Sequence, residues 1–256
     1  FMKNSIFRHV FSSMIIMFSC FSAGGTVATA QDARELLERV DRLYRSNSSY
    51  AKVEMEVITE NWERTMQMEV WTSGMEKTLI KLLAPRKDKG IKTLKLETKM
   101  WNYFPKINKI LKVPPSMMMS SWMGSDFTND DLVRENTLAD DHQARIIDHP
   151  EAPESYYEIE LIPHKETVTV WGKIIITIRR DDLMPVSQIY FDERGVKKRE
   201  MEFRGFRQVD DRRIPAVMEM RTLGRNSRTV IRYLSLEFDP DLPDDLFSFS
   251  QLRRRN

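Results

Sequence analysis

The chain has 256 residues, with 40 Lys and Arg against 38 Asp and Glu, and a formal net charge of +2. That balance supplies no strongly basic field of the kind nucleic acid requires. The one cysteine, Cys20, falls in a segment laid out like an export signal, which excludes disulfides, thiolate metal sites and cysteine nucleophiles from the chain that follows.

Residues 1–30 read as a cleavable secretory signal. Lys3 and Arg8 form the positive region, Val10 to Phe21 the apolar region, and Ala28-Thr29-Ala30 a small-residue cleavage site. The mature chain is expected to begin at Gln31. The apolar run is too short, and too broken by serines, to span a bilayer core of about 30 Å as a permanent helix. Cys20 is the competing lipid-attachment position, but Met17-Phe18-Ser19 before it lacks the usual aliphatic and small residues. Residues 1–30 carry two basic side chains and no acidic one, so the remainder has a formal net charge of zero.

Residues 31–45 place Ala33, Leu36, Leu37, Val40, Leu43 and Tyr44 at helical spacing, with Asp32 and Glu35 set as a capping box. This predicts an amphipathic helix that packs its apolar stripe on a flat surface. The period then changes to two. Val53, Met55 and Val57 alternate with Lys52, Glu54 and Glu56, and Met66, Met68 and Val70 alternate with Gln67 and Glu69, as half-buried strands do. Strand-like runs continue through 78–83, 92–97, 100–104, 109–113, 144–148, 156–162, 168–179, 185–191, 197–206, 214–222 and 228–238. Turn signals at Glu60-Asn61, Ser73-Gly74, Asp181-Asp182, Arg194-Gly195 and Gly224-Arg225-Asn226 leave no room for crossover helices, so the strands must form an antiparallel meander. Roughly a dozen such strands with one polar face curl into a barrel or deep half-barrel, whose apolar inner face is a cavity stopped by helices. Two short helices are expected, one over 129–136 capped by Thr128 with Asp131, and one over 244–252 after Pro240 and Pro243. The 148–155 stretch, with Pro150 and Pro153, is a candidate boundary. Strands of one character on both sides of it favour a single domain over residues 31–256.

Chemical motifs are scarce. A phosphate-binding loop, a dinucleotide glycine fingerprint, a nucleophile elbow and a His-Glu-x-x-His helix are all absent from the sequence, so no enzyme activity and no cofactor are expected. His142, His149 and His164 do not fall at metal-ligand spacing. Asp140-Asp141-His142 and Asn129-Asp130-Asp131 are carboxylate-rich, but paired aspartates recur at Asp181-Asp182, Asp210-Asp211 and Asp244-Asp245, where they serve turns and caps; no metal site is expected. The informative stretch is 114–127, Pro-Pro-Ser-Met-Met-Met-Ser-Ser-Trp-Met-Gly-Ser-Asp-Phe. Methionine adapts to apolar partners of variable shape better than it specifies a rigid core. Pro114-Pro115 and Gly124 delimit the stretch like a flap. Met117, Met118, Met119, Trp122, Met123 and Phe127 are therefore candidate lid and lipid-binding residues, with Trp101 and Phe104 near the cavity mouth. Two plainer readings stay open: the methionines as gap-fillers under a loop, and the aromatics as a cross-strand cluster. The closing Arg253-Arg254-Arg255 reads as a solvated tail or a contact for anionic headgroups.

The export signal, the opening helix, the Trp101-Asn102-Tyr103-Phe104-Pro105 strand end, the 114–132 run and the Leu246-Phe247-Ser248 ending together resemble the bacterial outer-membrane lipoprotein-sorting proteins of the LolA-like superfamily, over residues 31–252. The resemblance implies a mainly β fold, a single antiparallel sheet of about eleven strands curled into an unclosed barrel and lidded by a few helices. It also implies a monomeric periplasmic carrier that shields the acyl chains of lipoproteins or lipids on the way to the outer membrane. The partners would be acylated cargo and an inner-membrane lipid exporter, with no nucleic acid. The alternative is a non-carrying periplasmic module that docks on such an exporter.

Overall fold

The computed structural model describes residues 30–44, 46–134, 138–147, 154–167 and 169–254. Residues 1–29, which hold most of the expected export signal and Cys20, the 148–153 part of the candidate boundary and Arg255 lie outside them. The first helix, α1 (Ala30–Tyr44), starts one residue before the expected helix, and Asp32 lies in its first turn rather than at its cap. There its charge still favours the unpaired N–H groups of the helix start.

The alternating runs form β1 (Ser48–Ile58), β2 (Glu63–Ser73), β3 (Lys77–Ala84), β4 (Lys92–Leu96), β5 (Lys99–Phe104) and β6 (Lys109–Lys112). After a long connection come β7 (His142–Ile147), β8 (Tyr156–Pro163), β9 (Trp171–Arg179), β10 (Pro185–Asp192), β11 (Lys197–Val209), β12 (Arg212–Thr222) and β13 (Ser227–Phe238). All 13 pair antiparallel in one unclosed sheet, ordered β6-β5-β4-β3-β2-β1-β13-β12-β11-β10-β9-β8-β7. That exceeds the about eleven implied by resemblance, because even the four-residue β6 finds a partner along β5. Two meanders meet where β1 pairs with β13, from Ser49↔Phe238 to Ile58↔Arg228.

This order fixes the cover. β6 and β7 follow one another in sequence but lie at opposite edges of the sheet, so residues 113–141 must cross the seam between the edges. The crossing contains a 3-10 turn (Pro115–Met117), α2 (Asn129–Arg134) and α3 (Leu138–Asp141). α2 has the expected Thr128 cap, and α3 is a helix that the hydrophobic pattern did not announce. Residues 135 and 136, the end of the expected second helix, lie outside the described residues.

The period of two sorts the side chains between faces. Val53, Met55, Met66 and Met68 turn inward in the first meander, beneath Trp122. Ile159, Leu161, Ile174, Ile176 and Ile178 turn inward in the second, and the α1 stripe of Ala33, Leu36, Leu37 and Val40 packs against them. The last helix, α4 (Phe249–Arg253), is shorter than expected and is capped by Ser248, whose Oγ accepts from Gln251 N–H. It is not a stopper of the cavity: Leu252, Leu246 and Phe247 cover Leu79, Leu94 and Tyr103 on the outer face. The Nζ of Lys92 donates to the carbonyls of Gln251 at 2.7 Å and Arg254 at 2.9 Å, which ties α4 to the sheet.

Elsewhere the outer face is charged. Arg221 Nε donates to Glu219 at 2.7 Å, and the guanidinium of Arg204 reaches the same carboxylate. Burial acts to raise the Glu219 pKa, but the hydrogen bond from Arg221 and the charges of Arg221, Arg204 and Arg228 overcome it, holding the group below its ordinary 4.5. A folded pKa below the unfolded one means the stabilisation is present above the ordinary value and is lost as pH falls through the folded one. Urea unfolding between pH 7 and pH 3 is expected to show stability falling below about pH 4.5, with Glu219→Gln flattening part of that fall. Leu37→Ala is expected to cost about 2–5 kcal/mol in the same assay, as a truncation inside the half-barrel. Leu43→Ala, on a side chain 39% exposed, is expected to change little.

Candidate functional site

Between the concave face and its cover lies a cavity of about 1250 Å³. Met55, Met68 and Ile80 line it from the first meander, and Ile174, Met201, Phe203 and Met220 from the second. Trp122, Phe127 and Leu132 of the crossing segment form its roof, and Ser46, Asn47, Gly74 and Met75 line it at the opposite rim. Polar side chains share the lining, Thr93, Lys95, His142 and Gln188 among them. Lys95 Nζ donates to the Met75 carbonyl at 2.8 Å.

The roof is a compact flap built from its own backbone. Trp122 N–H donates to the Phe127 carbonyl at 2.7 Å, and Asn129 Nδ2 donates to the carbonyls of Met117 and Ser120 at 3.0 and 3.2 Å. Met123 and Gly124 turn the chain in the left-handed region, at φ of 53° and 80°. This is a conformation glycine adopts freely and methionine rarely. α2 starts with a reciprocal cap: Asp131 N–H donates to Thr128 Oγ1, while Thr128 N–H and Oγ1 donate to Asp131 Oδ2.

Polar pins hold the flap to the walls. The Asp126 carboxylate accepts from Ser227 Oγ at 2.5 Å and Thr229 Oγ1 at 2.8 Å, both on β13. Trp122 Nε1 donates to Thr93 Oγ1 on β4 at 3.3 Å, and Arg64 Nη2 to the Met123 carbonyl at 2.8 Å. On β11, Arg199 is 4% exposed and pairs with Asp131 at 3.0 Å. Its guanidinium carbon lies 5.1 Å from the Trp171 ring and 4.9 Å from the Tyr190 ring, both of which line the cavity. Its Nε and Nη1 have no hydrogen-bond partner among the described residues. A buried guanidinium so sparsely bonded depends on its one carboxylate, and separating the two leaves an uncompensated charge.

Of the residues singled out from the sequence, Trp122 and Phe127 reach the cavity, buried at 4% and 9% exposure. Met123 packs half-buried beside the β1–β3 cluster, Met118 and Met119 are half-buried, and Met117 is exposed. These four do not line the cavity in the closed arrangement. Trp101 lies on the outer face, its ring edge-on to Phe249 at 5.2 Å, because Met100 beside it takes the inward position. Phe104 is half-buried at the end of β5 and does not line the cavity. Of the aspartates weighed as metal ligands, Asp131 pairs with Arg199 and Asp140 with Arg34 at 2.6 Å.

Sequence reasoning passed over the pins. Arg199 had a signal: it falls in phase with Met201 and Phe203, a cation on the apolar face of a strand. Thr229 likewise falls in phase with Ile231 and Tyr233. Asp126 had none.

Comparison with known proteins bears on the fold. A Desulfovibrio piger protein of the DUF1329 family superposes with a TM-score of 0.81 at 21% identity, over 87% of this chain and 98% of its own. A Vibrio parahaemolyticus domain described as an outer membrane lipoprotein-sorting protein gives 0.79 at 18% identity, over 88% and 100%. A LolA superfamily protein from Nitrosomonas europaea gives 0.72 at 19% identity, over 86% and 98%. No curated protein matches the sequence. A family model whose description reads only "Uncharacterized protein" matches residues 74–254. The chain belongs to the family that this model describes, and its fold is the LolA-like one, an unclosed antiparallel half-barrel with a helical cover.

Proposed function

We propose that the protein is a periplasmic carrier, exported by cleavage after Ala30, that shields acyl chains of a lipoprotein or lipid in its cavity during transport toward the outer membrane. The observation that carries this reading is an apolar cavity of about 1250 Å³ beneath a hydrogen-bonded cover. Sites for drug-sized ligands hold roughly 300–1,000 Å³, so the space suits something larger. The likeness to a Vibrio domain described as lipoprotein-sorting supports the same direction. Residues 31–256 act as one unit, a monomer that binds and releases rather than transforms its cargo. A module that only docked on an inner-membrane exporter would have no use for an open apolar interior, which favours the carrier.

The energetics suit carriage. Burying a methylene is worth about 0.8 kcal/mol, so a sixteen-carbon chain gives on the order of 12 kcal/mol before ordering costs. That approaches nanomolar affinity. Entry requires the flap to lift, which breaks a small set of polar pins and draws Trp122 and Phe127 out of the apolar clusters they join. Asp126 with Thr229, Trp122 with Thr93 and Asp131 with Arg199 break and re-form without dismantling the walls. As the flap lifts, Met117, Met118, Met119 and Met123 meet the cargo as an adaptable apolar surface.

Native mass spectrometry of protein purified from its host periplasm is expected to show bound lipid, and delipidated protein is expected to bind a fluorescent acyl probe. Joint replacement of Met117, Met118 and Met119 by serine should weaken the probe several-fold with the melting temperature nearly unchanged. Protein that arrives empty and ignores the probe would sink the carrier. A second expectation concerns motion: Asp126→Cys with Thr229→Cys places two thiols where the pinned side chains touch, in a mature chain that has no other cysteine. Oxidation should block probe exchange and reduction restore it, whereas equal exchange in both states would mean that cargo enters without the flap.

A further inference from the structure

An antiparallel meander sends its connections alternately to two rims, and here the rims differ in charge. One rim carries the loops 59–62, 85–91, 105–108, 193–196 and 223–226, where Arg86, Lys87, Lys89, Lys106, Arg194 and Arg225 are all exposed. The acids among these loops are Glu60 and Glu193, with Asp88 turned toward Arg64 at 3.8 Å, and the β8–β9 connection at the same rim adds exposed Lys165 and Glu166. α4 ends at the same rim, since Lys92 beside loop 85–91 holds the Arg254 carbonyl, and this adds exposed Arg253 and Arg254. The opposite rim exposes Asp181, Asp210, Asp211 and Asp241; of its cations, Arg212 and Arg213 are paired with Asp239 and Asp182, while Lys77, Lys99 and Arg180 are exposed. In a mature chain without net charge, this is a separation along the barrel rather than an excess.

The basic rim also carries apolar tips. Ile107 is 58% exposed, Val196 50%, Trp62 44% and Leu223 44%, each on a different hairpin. The first three loops are contiguous. A Cβ on Gly90 would meet Pro105 Cγ at 3.4 Å, which seats the Lys106–Ile107 tip beside the Arg86–Lys89 loop, and the Arg64–Asp88 pair joins that loop to the Trp62 hairpin.

We propose that this rim docks on a membrane surface rich in anionic lipid, with Ile107 and Trp62 entering the headgroup region and Arg86, Lys87, Lys89 and Lys106 meeting its phosphates. Apolar tips scattered on separate hairpins among lysines and arginines suit a soft, uniformly anionic layer. A folded protein partner would instead be met by one contiguous apolar face with charge kept to its margin. The acidic rim opposite is repelled by the same surface, so the separation of charge orients the molecule before contact. Orientation matters here because the rim adjoins the flap: a Cβ on Gly124 would lie 3.7 Å from the Trp62 ring, and Arg64 holds the Met123 carbonyl. Docking by this rim therefore presents the cover of the cavity to the bilayer. It requires no cargo, and a protein with an empty cavity would still dock.

The test is vesicle co-sedimentation of residues 31–256 with phosphatidylcholine vesicles, with and without phosphatidylglycerol. Binding is expected with phosphatidylglycerol, at least about tenfold weaker without it, and weakening as salt is added. Each basic side chain near an anionic surface is worth roughly fivefold, so R86Q/K87Q/K89Q/K106Q should lose about a hundredfold or more. Ile107→Asp with Trp62→Ser should also weaken binding, whereas Asp210→Asn with Asp211→Asn on the far rim should not. All these side chains are exposed, and unchanged melting temperatures verify that the variants fold. Should the quadruple variant fail to fold, the single Lys106→Gln and the quenching of Trp62 by brominated phosphatidylglycerol, absent in Trp62→Phe, read the same contact. No binding to anionic vesicles, or binding that ignores the rim substitutions, would overturn the proposal. So would a Lys106→Cys crosslink to a membrane protein in the absence of any vesicle binding. Acyl-probe binding measured on the same samples keeps the two readings apart, because loss of probe binding with docking intact counts against the carrier alone.

Discussion

The two edge strands of the sheet, β6 and β7, are neighbours in sequence and strangers in space, and most of what is distinctive about the molecule follows from that separation. A sheet whose edges are joined by a single covalent segment can curl until the edges approach, but the segment itself occupies the seam, so the barrel stays open. Of this connection, Trp122, Phe127, Leu132 and Leu138 lie over the concave face and line the cavity. Its composition then decides what kind of cover. It has a hydrogen-bonded flap with Trp122 and Phe127 facing the cavity, and polar pins at its margins.

That arrangement separates two energetic tasks. Stability rests on the walls, where α1 lies against the isoleucine-rich strands β8 and β9 and the β1–β13 ladder joins the two meanders. Closure rests on the burial of Trp122 and Phe127 against the walls and on individual polar contacts, each worth on the order of 1 kcal/mol net when neutral and more when an ion pair is buried. The Arg199–Asp131 pair is the strongest of them on burial, since a guanidinium 4% exposed with two unbonded nitrogens has little else to compensate its charge.

The outer surface follows the same division between general and specific. Much of it carries paired charges, Glu219 with its arginines among them. Among the exceptions are the α4 patch, which covers Leu79, Leu94 and Tyr103, and the rim where apolar tips meet exposed cations. Hairpins of a meander reach the two rims in alternation, so the basic turns 85–91 and 105–108 fall at one end and the Asp210-Asp211 turn at the other.

Local pattern was enough for α1 and the strands, though not for α3. A change of hydrophobic period from 3.6 to 2 after residue 45, and polar turns at short intervals, determine one helix followed by antiparallel strands. Every alternating run became a strand, with ends displaced by a few residues where caps such as Ser248 and Asp32 took other positions. The flap was legible as a delimited, methionine-rich stretch, and Trp122 and Phe127 were legible within it. The tertiary structure alone decided which face each strand presents and what lies across from it. Trp101 and Met100 are adjacent and both apolar, and only the sheet's curvature and register assign Met100 to the cavity and Trp101 to α4. The Arg199–Asp131 and Asp126–Thr229 contacts join residues far apart in the chain, and α4 covers the outside rather than the mouth. Periodicity is a property of neighbours in sequence, whereas pins, seam and cavity are properties of strands brought together by pairing.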